Sequence, residues 1–142
     1  LIEDKKNDVI VWTFKNNQTA RINPKNYSWL HLDDDDYLKV EFTKYYPFVT
    51  NPIKEHAIIG TMYFRKARYF TDALERNYKF GVRANGEFYV DDLLNRCVDM
   101  KLKVKAFESN HYVCWGSSQD IKVYKYWADY FSKKFGLKDN YA

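Results

Sequence analysis

The run His56-Ala57-Ile58-Ile59-Gly60-Thr61-Met62-Tyr63-Phe64, followed almost at once by a helical stripe, limits the fold of this chain more than any other feature. The run is β-branched and aromatic around a single glycine, which is the pattern of a strand. From residue 66 to 79 the period changes, and Tyr69, Phe70, Ala73, Leu74 and Tyr78 fall on one side of a helix that Gly81 stops. An apolar strand feeding an amphipathic helix is buried on both sides only if the helix lies on the face of a sheet. The pair therefore predicts a layered α/β domain.

The remaining segments fit that plan. Asp8 to Phe14 reads as a strand ended by the turn-forming Lys15-Asn16-Asn17-Gln18. Asn23-Pro24-Lys25-Asn26 is a second turn, because the residue before proline is pushed out of the helical region. Tyr27 to Leu32 and the alternating Tyr37 to Thr43 predict a hairpin joined through the acidic run Asp33 to Asp36. Tyr45 to Lys54, with Pro47 and Pro52, reads as loop. Asn85-Gly86 marks a turn, Phe88 to Met100 returns to helical spacing, and Leu102 to Phe107 and then Tyr112 to Trp115 read as strands. Ser117 or Ser118 caps a last helix, with Ile121, Tyr124, Ala128, Phe131 and Phe135 as a buried stripe and Gly136 at its end. The expected fold is α/β, a mixed sheet with packed helices.

Several function classes are set aside by composition. With 142 residues, 46% of them apolar and 19% aromatic, the chain has enough apolar surface for a folded core, about one domain's worth. The net charge of +4 is spread along the sequence rather than gathered into a stripe, so nucleic-acid binding is not expected. Cys97 and Cys114 have neither the spacing of a zinc site nor the number of a disulfide framework, which suits a reducing, cytoplasmic compartment. No apolar run approaches the roughly 20 residues that span a bilayer. The opening Leu1-Ile2-Glu3-Asp4, with no Met, is what a fragment of a longer protein would show, or a processing product.

Self-contained catalytic sets are missing from the sequence: there is no G-x-S-x-G, H-E-x-x-H or Walker loop. His31, His56 and His111 lack ligand spacing and read as structural. Asp33 to Asp36 lack the glycine and spaced Glu of an EF-hand loop, so they read as a solvated turn. Cys114 would be a nucleophile only beside a base.

A more specific signal is the order of three segments. The glycine-interrupted strand at Gly60 and its helix come first. Asn85-Gly86-Glu87-Phe88-Tyr89-Val90-Asp91-Asp92 then opens a second helix, and Tyr112-Val113-Cys114-Trp115-Gly116-Ser117-Ser118-Gln119-Asp120 opens a third. The set resembles the C-terminal, sugar-phosphate-binding half of the sugar-phosphate nucleotidyltransferases, whose "G-E-(F/Y)-Y-(I/V)-x-D" and "W-G-T-P-E-D-L"-like segments occur in the same order. The resemblance covers about residues 8–135 and is nearest to members serving capsule or lipopolysaccharide synthesis. It implies a Rossmann-like, GT-A-like domain, here residues 1–142 as one domain or fragment. It also implies a nucleoside triphosphate and a sugar 1-phosphate as substrates, and leaves room for a homo-oligomer.

By that resemblance, Gly60 would let its backbone approach the sugar ring, Glu87 would accept hydrogen bonds from sugar hydroxyls, and Lys44 would hold the sugar phosphate. Plainer roles stand beside these: Glu87 as a first-turn helix carboxylate, Lys44 as a surface charge. Magnesium is the implied cofactor, with its ligands mostly outside this chain. Where many members have an Asp two residues before the glycine of the last segment, this chain has Cys114, a poor ligand for a hard cation. The "G-x-G-T/S-R" loop that cradles the nucleotide is also absent from the sequence, so the fragment alone is expected to be inactive. Three other readings remain open: a non-catalytic carbohydrate-binding or interaction module, half of a glycosyltransferase, and a purely structural α/β domain.

Overall fold

The computed structural model describes residues 6–48, 51–81 and 83–136. The residues fall into two compact units, Leu1–His111 and Tyr112–Ala142. Leu1-Ile2-Glu3-Asp4, read from the sequence as the opening of a fragment or processing product, lies outside the described residues.

The first unit is a mixed five-stranded sheet. Its strands are β1 (Val9–Phe14), β2 (Trp29–Leu32), β3 (Leu38–Phe42), β4 (His56–Phe64) and β5 (Val104–Glu108), in the order β3-β2-β4-β1-β5. Its helices are α1 (Gln18–Ile22), α2 (Ala67–Phe80) and α3 (Leu93–Asp99). β1 lies parallel to β5 and antiparallel to β4. Val9, Ile10, Val11 and Phe14 are all buried, as expected of a strand covered on both faces. Ala73 of α2 and Leu93, Leu94 and Cys97 of α3 join Val9, Val11, Leu30, Ile58 and Val104 in one apolar cluster. A second packing centre forms around Trp29, whose ring meets Tyr27 and Tyr46 edge-on and whose Nε1 donates to the Pro24 carbonyl at 2.7 Å.

The acidic hairpin turn is held by its own side chain. The Asp33 carboxylate accepts from the main-chain N–H groups of Asp35 at 3.0 Å and Tyr37 at 2.8 Å. That turn also carries the chain across to the far edge of the sheet. Tyr37 bridges Lys105 of β5, and Ala106 N–H donates to the Asp36 carbonyl at 2.9 Å. The edges β3 and β5 thus meet at one corner, which shields part of two otherwise open strand edges.

Four expectations need correction. The segment after Asn17 is a short helix rather than turn alone, because the Asn17 side chain caps it by accepting from Thr19 N–H at 3.0 Å. Phe88 to Met100 is not one helix: a 3-10 turn at Val90–Asp92 precedes α3. Tyr112 to Trp115 form no strand, since the only regular element among the described residues of the second unit is the helix α4 (Ser118–Phe135), which offers no ladder. The stripe on α4 is also not buried. None of its residues is buried, and Phe131 and Phe135 are 44% and 61% exposed. Its ends are as expected: Ser117 Oγ accepts from Asp120 N–H at 3.2 Å, and Gly136 closes it in the left-handed region at φ 62°.

Candidate functional site

The polar residues of the first unit gather where β3 ends and α3 begins. Glu41 sits on the edge strand β3 opposite Leu30, and is only 3% exposed. Strand alternation would leave this side chain in water. It is covered instead because Asn95, one turn into α3, lies against the strand edge. The Asn95 amide accepts from Glu41 N–H at 2.8 Å and donates to Glu41 C=O at 3.0 Å, as a neighbouring strand would. The same amide reaches Glu41 Oε2 at 3.3 Å and Asp92 Oδ1 at 3.1 Å.

Thr43 donates its hydroxyl to Glu41 Oε2 at 2.8 Å, and Ser28, fully buried on the neighbouring chain segment, donates to Asp91 Oδ2 at 2.6 Å. Among the described residues Glu41 Oε1 has no hydrogen-bond partner. Burial is the main force pushing the Glu41 carboxyl up to about 8, and the nearby charges of Asp91 and Asp92 push the same way, against the Thr43 hydrogen bond. The Glu41 carboxyl is therefore mostly protonated at neutral pH.

Lys44 follows directly. It sits in the left-handed region at φ 52°, its ammonium donates to the Asn26 carbonyl at 2.8 Å, and it lies 5.2 Å from the centre of the Tyr89 ring. Tyr89 is two residues past Glu87, so the structure brings Lys44 to the Glu87 segment. Glu87 itself is exposed and closes the expected turn, its N–H donating to the Ala84 carbonyl at 2.9 Å with Asn85 and Gly86 at positive φ. It lies before the 3-10 turn, not inside the first turn of a helix.

Gly60 belongs to a bulge. Val11 pairs with Met62 and Thr13 with Ile58, so Trp12 faces three residues of β4, with Gly60 among them at φ 105°. The space a Cβ would occupy is open. The glycine is thus required by backbone conformation, and its outer side is free for close approach. Among the described residues no hydrogen bond or ion pair joins Gly60 to Glu87 or Lys44.

Among the described residues no group of three or more His, Cys, Asp and Glu is arranged to hold a metal ion. Cys114 Sγ lies 3.6 Å from Asp120 Oδ2, which also accepts from Ser117 Oγ at 2.7 Å. A thiol against a helix-capping carboxylate does not fit magnesium, which takes oxygen ligands in near-octahedral array. His56 shares a 2.9 Å hydrogen bond with Thr13 and is shifted downward, by burial first and then by Lys15. That is a structural histidine.

Asp91 and Asp92 stand in the sequence as the end of the Asn85–Asp92 segment, in the 3-10 turn before α3, whereas Ser28, Glu41 and Asn95 carry no mark there.

No protein-family model matches the chain, and no curated protein does. Solved structures do. A nucleoside-diphosphate-sugar pyrophosphorylase from Vibrio cholerae RC9 superposes with a TM-score of 0.61 at 16% identity, over 83% of this chain and 46% of that one. CMP:2-keto-3-deoxy-manno-octonic acid synthetase, complexed with CTP, superposes with a TM-score of 0.51 at 13% identity, over 92% of this chain and 52% of that one. The chain therefore shares the α/β fold of these two structures and spans about half the length of each. No helix among the described residues is long and apolar enough to cross a membrane.

Proposed function

We propose that this chain is the acceptor-recognising half of a sugar-phosphate nucleotidyltransferase, which joins a nucleoside triphosphate to a sugar 1-phosphate and releases pyrophosphate. In the full enzyme a phosphate oxygen of the sugar 1-phosphate attacks the α-phosphorus in line and pyrophosphate leaves. The contribution of this half is to hold the acceptor, because positioning supplies much of the rate in such transfers.

The observation that carries the reading is the meeting of Lys44 with the Glu87–Asp92 segment on a nucleotidyltransferase-like fold. An ammonium has three donors, and Asn26 takes one here, leaving capacity for a phosphate oxygen. Glu87, exposed at the close of the Asn85-Gly86 turn, is an acceptor for sugar hydroxyls within the same segment. Gly60, with open space beside its backbone, admits a ring without side-chain clash. Magnesium is the ion the resemblance implies for this reaction, and among the described residues no group of three or more His, Cys, Asp and Glu is arranged to hold it. Service in capsule or lipopolysaccharide synthesis and a cytoplasmic location belong to the same proposal.

The test is pyrophosphate release by the full-length gene product with a panel of triphosphates and sugar 1-phosphates. Release that requires both substrates and collapses in Glu87→Ala supports the assignment. A folded full-length protein that binds sugars but releases no pyrophosphate with any pair would instead be a carbohydrate-binding module.

A further inference from the structure

Three chain segments meet at Lys44: its own, the one before β2 and the one that follows Glu87. Its ammonium donates to the Asn26 carbonyl at 2.8 Å and lies 5.2 Å from the centre of the Tyr89 ring. Both contacts are made by the end of a long, flexible side chain, so they do not by themselves fix the segments. Buried polar groups a few residues away do. Ser28, two residues after Asn26, donates to Asp91 Oδ2 at 2.6 Å. Thr43, the neighbour of Lys44, donates to Glu41 Oε2 at 2.8 Å. The Asn95 amide holds the main chain and carboxyl of Glu41 and, at 3.1 Å, Asp92. These bonds converge on Glu41 and the two aspartates beside it.

We propose that Glu41 is a positioning residue for acceptor binding: its carboxyl holds the Asp91-Asp92 turn against β3 and thereby keeps Lys44 and the Glu87 segment in register. The inference rests on the acceptor reading given above.

The knot works in one protonation state. It sets Asp91 and Asp92, from the 3-10 turn, close to a third carboxyl that is 3% exposed. The groups that meet it from the other elements are uncharged: Ser28 before β2, Thr43 on β3 and Asn95 on α3. Arg96, next on α3, turns its guanidinium to Asp99 at 3.0 Å. Like charges crowded away from water repel, so the turn closes on β3 best while Glu41 is a neutral acid. Burial first, then Asp91 and Asp92, raise the carboxyl from 4.5 to about 8. The closed knot therefore takes up a proton, and its advantage is present at low pH and lost as pH rises through about 8. Between pH 7 and pH 9 that advantage falls about 10-fold.

Steady-state kinetics of the full-length protein from pH 7 to pH 9 test this, with the sugar 1-phosphate of the panel that gives the fastest pyrophosphate release. A phosphate monoester, with a second pKa of about 6, keeps its charge across this range. The KM for sugar 1-phosphate should rise about 10-fold in the wild type, while the KM for the triphosphate stays constant. Glu41→Gln, an uncharged carboxyl of the same shape, should hold its pH 7 acceptor KM at pH 9. Glu41→Ala should raise the acceptor KM at both pH values. Parallel acceptor profiles in wild type and Glu41→Gln overturn the proposal, as does an equal rise in the KM of both substrates. Because Glu41→Gln preserves the knot, its pH profile decides the matter even if Glu41→Ala does not fold. The two readings fail differently. Wild-type protein that releases no pyrophosphate with any pair removes both, whereas release without a pH profile that depends on Glu41 removes this one alone.

Discussion

Asn95 pairs with Glu41 as a strand would, closing both main-chain hydrogen bonds of the edge residue with one side-chain amide. This single contact joins α3 to β3 and buries a carboxyl that strand alternation would leave in water. Replacing Asn95 by Ala leaves a buried N–H and C=O without partners, each costing about 1–3 kcal/mol. Asn95→Ala should therefore destabilise the first unit by about 2–4 kcal/mol in urea unfolding. Asn95→Asp should be worse at high pH than at low pH, since an ionised carboxylate cannot donate to the Glu41 carbonyl and stands beside Asp92. If Asn95→Ala unfolds with the wild-type midpoint, the amide is not a structural strand mimic.

Glu41 gives the molecule a pH dependence with a definite sign. Its carboxyl moves from 4.5 in the unfolded chain to about 8 when folded, so between those values the folded state holds the extra proton. A group of this kind contributes fully below pH 4.5, and its contribution is lost as pH rises toward 8. Unfolding free energy attributable to this site should fall across that interval. Glu41→Gln keeps the shape and removes the titration, so it should be on the order of 3 kcal/mol more stable than wild type above pH 8 and near wild type at pH 4.5. Denaturation midpoints for both proteins at several pH values decide this. Parallel pH profiles for the two would mean that Glu41 titrates like a solvated carboxylate.

The elements that were legible are those whose period and punctuation are local. The strand at Gly60, the helix that follows, the Asn85-Gly86 turn and both ends of α4 each depend on residues within a few positions of one another. What escaped the sequence depends on distant partners. Glu41 has the polar slot of an alternating strand, and only Asn95, 54 residues on, makes it a buried group. The Tyr112 to Trp115 segment has strand composition but no adjacent edge in its own unit. The α4 stripe has the spacing of a buried face, yet spacing gives only amphipathicity and does not say what covers it. At the candidate site, Glu87 and Lys44 were expected from the resemblance, while the Ser28–Asp91 and Glu41–Asn95 contacts have no sequence signature.

Gly60 offers a test of backbone strain free of steric confusion. Its φ of 105° lies where L-residues rarely go, and an added Cβ would meet nothing within 4 Å. Gly60→Ala should thus cost about 1–2 kcal/mol from conformation alone. In urea titrations the midpoint should drop while the slope stays the same, because the bulge shifts without exposing the core. An unchanged midpoint would mean that the bulge relaxes freely to a conventional strand.

Lys44 separates the acceptor reading from a merely structural lysine. Its ammonium is anchored by the Asn26 carbonyl and faces the Tyr89 ring, so Lys44→Met keeps the apolar stem against that ring and removes only the charge. The structural loss should be small, since an exposed hydrogen bond and cation–π contact contribute about 1 kcal/mol or less. If Lys44 binds the sugar phosphate, the full-length Lys44→Met enzyme should show a KM for sugar 1-phosphate raised about 10–100-fold, because a charge-assisted hydrogen bond contributes about 1.5–3 kcal/mol. The KM for the triphosphate should stay near wild type. Lys44→Arg should recover part of the loss by restoring charge, although its planar fork fits the Tyr89 contact differently. Equal rises in both KM values, or a fall in kcat alone, would place the phosphate contact on another residue and return Lys44 to an anchoring role between Asn26 and Tyr89.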